Sequence, residues 1–423
     1  MFTILKLAFR NVFRSKKRTI ITLSSVSLGL GLLIISICLM NGLDKQSISN
    51  IIHSQTSHLK LFKTGYFDKK DEIPLNKTIK NPEQYYNKIK QHPLIKEVES
   101  RVLFGASMIK GMDELPCLGV ACEPGSDPKI LNIKDSLVAG TWIDSKKSGM
   151  VIGANMADDI DLNVGDYVTI RIITSSKGED LTWNALDMEI VGIYNSGNPA
   201  VDSSHIIVPL KFAQEAISMN NEVTEIVVCL TNDNEDTLEQ VKTWLCTIFE
   251  NSGEKIEVYS WKDLAGTFLA ISKMKTKNSA IIIMIMLFIA SIGIINTMLM
   301  AVLERTREIG MLMALGMKKW EIMKLFVFEG GLIGVFGSLL GCLIGGLAGW
   351  YLEVKGWSIS SFGETYEKIA QAAYPIKDVF YGDLSFNILL YTFIFGVVIS
   401  VIASFYPARK ATKLNPIEAL RYI

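Results

Sequence analysis

The amino-acid sequence predicts an α-helical membrane protein with four transmembrane helices and a large α+β extracytoplasmic domain between helices 1 and 2. Three observations lead there. Four long apolar runs carry no charge, Thr19 to Met40, Ser279 to Leu303, Gly330 to Leu352 and Ser385 to Tyr406, and about 20 such residues suffice to cross the hydrocarbon core. Residues 41–278 hold no such run and are rich in charge. The composition, 49% hydrophobic and only 20% charged with a mean hydropathy of +0.28, is that of a chain partly dissolved in lipid. The 43 Lys+Arg balance 43 Asp+Glu, which argues against a nucleic-acid partner.

Residues 1–18 carry Lys6, Arg10, Arg14, Lys16, Lys17 and Arg18 with no acid, and Leu5, Phe9, Val12 and Phe13 recur at helical spacing. This is the pattern of a cytoplasmic amphipathic helix against anionic headgroups. The run 19–40 follows as the first span, too long for the apolar region of a signal peptide and without a small-residue cleavage site. Lys and Arg are also concentrated in 304–324 and 407–423, so both termini and the short middle loop are expected in the cytoplasm.

Residues 41–278 read as a folded domain with two lobes and stalk ends. The outer parts follow a strand, helix, strand order: His58 to Phe62, a helix opening at Asn81-Pro82, and Val98 to Ile109 paired with Leu115 to Ala121; then Glu225 to Leu230, a helix from about Glu235 to Phe249, and Lys255 to Tyr259. Between them lies a β-rich lobe with Gly149 to Gly153, Asp166 to Thr174, Met188 to Tyr194 and Ser204 to Pro209. Trp261, Leu264, Phe268, Ile271 and Met274 form a helical stripe, so the second span, 279–303, is expected to begin as a stalk. The third span, 325–352, the outer loop 353–384 and the fourth span, 385–406, complete the topology.

The chemistry of an enzyme is missing from the pattern. No GxxxxGK[ST] phosphate loop occurs, so neither ATP nor Mg is expected on this chain by that route. His53, His58, His92 and His205 lack metal-ligand spacing and read as surface or loop residues; no metal, cofactor or catalytic residue is expected. Cys117 could pair with Cys122, or Cys229 with Cys246, in an oxidising compartment, or all four could be single buried thiols.

Two features of the spans carry function. Gly337, Gly341, Gly345 and Gly349 stand four apart, with Gly330 and Gly334 preceding them, which bares one helix face for close packing. Glu329, just before, needs a partner or water for its carboxylate. In the loop after the second span, Glu304, Arg305, Arg307 and Glu308 interleave opposite charges and lead into Gly310, Met311, Met313, Ala314, Leu315 and Gly316. A solvated turn has no use for the apolar part; a docking surface does, and Gly310 and Met313 are expected to face the docked partner.

That loop, with Tyr406-Pro407-Ala408-Arg409-Lys410-Ala411 and Asn415-Pro416-Ile417-Glu418-Ala419-Leu420-Arg421, resembles the permease family of FtsX, the MacB-type exporters and the Lol lipoprotein-releasing permeases. Met40-Asn41-Gly42-Leu43, His58-Leu59-Lys60-Leu61, Leu118 to Pro124 and Leu137-Val138-Ala139-Gly140 are most similar to the Lol members of LolC/LolE type, although Ser57 replaces their Pro before His58. The resemblance implies a non-catalytic subunit of an inner-membrane ABC-type complex. Its partners would be two copies of an ABC ATPase subunit that bind ATP and Mg, a second permease, identical or paralogous, and membrane lipid. The loop would be the coupling element. The resemblance further implies lipoprotein substrates passed to a periplasmic carrier, with a lipid or substrate cavity near Gly29, Gly31, Met40, Asn41 and Gly42. A MacB-like exporter of peptides or small molecules, or an FtsX-like regulator of a cell-wall hydrolase, is the alternative.

Overall fold

The computed structural model describes residues 2–125, 130, 133–144, 148–174, 182–252, 255–358 and 379–413. The chain divides into two compact units. One comprises Met1–Lys45, Ile271–Trp357 and Phe380–Ile423, the other Gln46–Ala270 and Ser358–Val379.

The first unit is helical. An N-terminal helix (Phe2–Arg14) leads into the first long helix (Lys16–Ile51). A second long helix (Gly266–Glu304) begins in the other unit, and a loop helix (Thr306–Ala314) and third and fourth long helices (Lys319–Lys355, Phe386–Ala411) follow. Lys16–Thr56, which adds a π turn to the first long helix, and the third and fourth are long and apolar enough to cross a membrane by length and composition. The run 279–303 lies on the second, whose described apolar stretch is Ser291–Glu304.

Glycine and serine decide how these helices meet, since removing a side chain lets backbones approach. A Cβ at Gly341 would stand 2.9 Å from Leu30 Cβ, and one at Gly345 would stand 2.9 Å from both Gly31 O and Ile34 Cβ. Gly337 is packed as closely on Val26, and Gly349 meets Leu384 and Cys38. Gly330 and Gly334 instead face Ser404 and Ser400 of the fourth long helix. One glycine row of the third helix therefore serves two neighbours within this chain. Val12, Val26, Leu30, Ile294, Met298, Phe326 and Ala408 fill the space between the helices.

The second unit is built on a strand network whose path begins at Ile256–Ser260, then Leu59–Lys63, Glu225–Leu230, Ile95–Lys110 and Asp113–Cys122, and continues through His205–Pro209, Gly149–Gly153 and Thr182–Tyr194 to Leu137–Gly140. The middle strands, read from sequence as a separate lobe, are hydrogen-bonded into this same network. Continuity comes from the strand Ile95–Lys110, long enough to pair with Glu225–Leu230 through its first half and with Asp113–Cys122 and Tyr167–Thr174 through its second. The expected helices appear at Glu83–Ile89 and Glu235–Ser252. The stalk stripe is interrupted: Trp261–Leu264 is a short helix capped by Ser260 and Asp263, and Ala265 leaves helical geometry before Gly266.

Side chains alternate across a strand, and this settles the cysteines. Cys117 and Cys122 are five residues apart on one strand, so they point to opposite faces, and they lie in different apolar cores. Cys229 belongs to one core while Cys246 packs on the other, and all six cysteines are free.

Candidate functional site

The second long helix ends at Glu304, and Arg305 leaves helical geometry (φ −109°, ψ 16°) before the chain restarts as the loop helix. The loop helix stops at Gly316, whose φ of +96° suits glycine, and the third long helix opens where Lys318 N–H donates to Glu321 Oε2 at 2.9 Å.

The loop helix is two-sided. Arg305, Thr306, Ile309 and Gly310 face inward, and Met313 is half-buried against the apolar core. Glu304, Arg307, Glu308, Met311, Ala314, Leu315 and Gly316 face outward. Leu315 is 79% exposed, Met311 51%, and Trp320, at the start of the third long helix, 60%. The expectation that Gly310 and Met313 present themselves to a partner is corrected: both belong to the packed side, because the period of 3.6 residues puts them beside Thr306 and Ile309. Trp320 was missed; its neighbours Lys318, Lys319 and Glu321 gave it a solvated look in sequence.

Behind the loop helix sits a buried charge cluster. Glu329 is 1% exposed and Arg305 9%. Glu329 Oε1 lies 3.5 Å from Arg305 Nη1 and 3.7 Å from Arg18 Nη2, and Arg18 Nη1 donates to Glu304 Oε2 at 3.0 Å. Arg305 Nη2 also donates to the Asn11 carbonyl at 3.1 Å. An exposed pair, Arg14 Nη2 with Glu308 Oε1 at 2.9 Å, joins the N-terminal and loop helices at the surface. Sequence flagged Glu329 as needing a partner but not which one, since Arg18 and Arg305 are remote in the chain.

The residues considered for a lipid or substrate cavity do not share one role. Gly31 packs against Gly341 and Gly345, and a Cβ at Gly42 would collide with the Tyr381 carbonyl. Gly29 and Met40 are half-buried, and Asn41 is exposed. The tail motif Asn415 to Arg421 lies outside the described residues.

In the second unit a polar row crosses one face of the sheet. Lys60 Nζ donates to both oxygens of Glu225, at 2.9 and 3.0 Å, and Arg101 Nε donates to Glu99 Oε2 at 2.8 Å. Lys60, Arg101, Glu225 and His205 form the polar wall of a cavity of about 210 Å³ with Leu118 and Ile207 on its apolar side. His205 is pushed down to about 4, by burial first and then by the Lys60 charge. His58, expected at the surface, is buried: its Nδ1 accepts from Leu230 N–H at 3.2 Å and its Nε2 donates to Asp233 Oδ1 at 2.9 Å. Burial lowers its pKa, so the ring acts as a neutral structural link. Among the described residues no group of three or more His, Cys, Asp or Glu could hold a metal.

Two family models match successive stretches of the chain. Residues 19–244 match the MacB-like periplasmic core domain model, and residues 280–416 match the FtsX-like permease C-terminal model. The chain is 28% identical over 289 residues to an uncharacterised ABC transporter permease of Methanocaldococcus jannaschii, covering 67% of this chain and 64% of that one. It is 24% identical to the lipoprotein-releasing system transmembrane protein LolC of Neisseria meningitidis serogroup B, covering 97% of each chain. With the macrolide export ATP-binding/permease protein MacB of Bdellovibrio bacteriovorus it shares 27% identity over 258 residues, 59% of this chain and 36% of that protein.

Proposed function

The chain belongs to the MacB- and FtsX-like family of ABC transporter permeases, and from that premise we propose that it is the non-catalytic membrane subunit of a complex that lifts lipoproteins out of the inner membrane. The observation that carries this reading is the likeness to LolC along 97% of both chains. In the proposal the four apolar runs are four spans, both termini lie in the cytoplasm, and the second unit faces the periplasm. ATP is hydrolysed by two copies of a separate subunit, and a second permease completes the complex.

The physical task explains the need for ATP. Each methylene of a lipid anchor contributes about 0.8 kcal/mol to membrane residence, so a multiply acylated protein leaves its leaflet slowly unless work is done on it. The outward face of the loop helix, with Met311 and Leu315 flanked by Arg307 and Glu308, suits docking of the ATPase; its inward face, locked to the bundle, suits transmission of that subunit's movement. The acyl chains would be taken up between opposing permeases and the protein handed to a periplasmic carrier.

The test is reconstitution of this chain in proteoliposomes with the ATPase that co-purifies with it and a labelled triacylated lipoprotein. ATP-dependent release to a soluble carrier is expected. Release independent of ATP, or none from a complex that hydrolyses ATP, would overturn the reading. The match to MacB favours a second reading, export of peptides or small molecules already in the periplasm. Co-purification of a membrane-fusion protein in place of a lipoprotein carrier would select it.

A further inference from the structure

The buried cluster behind the loop helix contains one feature that helix packing does not require. Glu329 stands in an apolar helix between buried Phe326 and Ile333, and its Oε2 has no hydrogen-bond partner among the described residues. A carboxylate placed there is costly unless opposite charge compensates it. The compensation comes from two guanidiniums that meet at its other oxygen, Arg305 from the junction before the loop helix and Arg18 from the first long helix. With Glu304 on Arg18, the four groups carry two charges of each sign.

Arg305 is the lever. Its backbone is the non-helical hinge between the second long helix and the loop helix, while its carbonyl accepts from Ile309 N–H at 2.9 Å and begins the loop helix. Its side chain is held at two points, Glu329 on the third long helix and the Asn11 carbonyl on the N-terminal helix. Fixing that side chain fixes the direction in which the loop helix departs.

We propose that Glu329 is a positioning residue that sets the orientation of the loop helix through Arg305. Its importance for transport rests on the docking role proposed above; the positioning itself does not. Without the Glu329 charge, the buried Arg305 guanidinium and the half-buried Arg18 guanidinium face each other, and the nearest relief is for Arg305 to swing toward water and take the loop helix with it.

The experiment is hydrogen exchange measured by mass spectrometry on the full chain in lipid nanodiscs, comparing Glu329→Gln, Arg305→Met and the double variant. Each single variant is expected to raise exchange in residues 306–314 by at least about tenfold, the scale of a lost buried ion pair, while residues 330–352 stay protected. The double variant should exchange no faster than the more affected single one. Unchanged exchange in the loop helix in both single variants overturns the proposal, and so do additive effects. If Glu329→Gln opens the whole bundle, Arg305→Met decides, because it leaves Glu329 with Arg18: opening confined to the loop helix supports the proposal and no opening overturns it. No ATPase is present in this measurement, so failure of the docking role would leave its result standing.

Discussion

Replacing Gly345 by alanine adds one carbon where the backbone of the first long helix comes against the third. That carbon would lie 2.9 Å from the Gly31 carbonyl oxygen, 2.9 Å from Ile34 Cβ and 3.0 Å from Gly31 Cα. Comfortable separation between carbon atoms is about 3.5–4.0 Å. None of the three atoms is the end of a flexible side chain, so relief requires the helix backbones to part locally by roughly 0.5–1 Å. Overpacking of this kind costs about 1–3 kcal/mol, and better helix propensity returns at most about 1 kcal/mol. With the full offset, a net loss of up to about 2 kcal/mol is expected. The adjacent Gly346 is the control, since its added carbon would meet only Leu389 Cδ2, at 3.5 Å, and Cδ1, at 3.9 Å. Gly346→Ala should therefore be neutral or gain up to about 1 kcal/mol. The assay is reversible unfolding of the full chain in mixed micelles, with both variants measured beside the parent. Equal stability of the two variants, or a more stable Gly345→Ala, would refute the assignment of this glycine row to contacts inside the chain.

Three further outcomes are expected. Leu315→Asp, at a site 79% exposed, should leave unfolding within about 0.5 kcal/mol of the parent and cut ATP turnover of the assembled complex by about tenfold, roughly 1.4 kcal/mol; unchanged turnover removes the docking face. Lys60→Met leaves Glu225, 0% exposed, without its bidentate partner and should destabilise the chain by about 3 kcal/mol, with much of that recovered by replacing Glu225 as well; calorimetry of the two variants checks it. His205 titrates near 6.5 when unfolded and near 4 when folded, so the unfolded chain binds the extra proton between those values. Its contribution is complete above pH 6.5 and declines by up to about 3 kcal/mol as pH falls to 4. His205→Gln should flatten that part of the stability profile, and an unaltered slope would show that the ring is not buried as described.

The apolar runs, the folded insertion after the first of them, the loop helix and the family are legible in the amino-acid order, because each is written in local periodicity or in a short contiguous motif. Glu329 could be recognised as anomalous from its apolar setting alone. What answers it emerges from the folded chain, since Arg18 and Arg305 reach it from other helices. The same holds for the glycine row, whose spacing announces a bare face but not that Gly330 and Gly334 meet one helix while Gly341 and Gly345 meet another. Gly310 and Met313 were misjudged for a related reason: composition shows that a loop helix is amphipathic, and only its packing shows which edge is turned inward. Cys117 and Cys122 look close enough to pair in sequence, yet strand alternation sends them to separate cores. In each case the local pattern supplied the group, and contacts between segments remote in sequence supplied its partner.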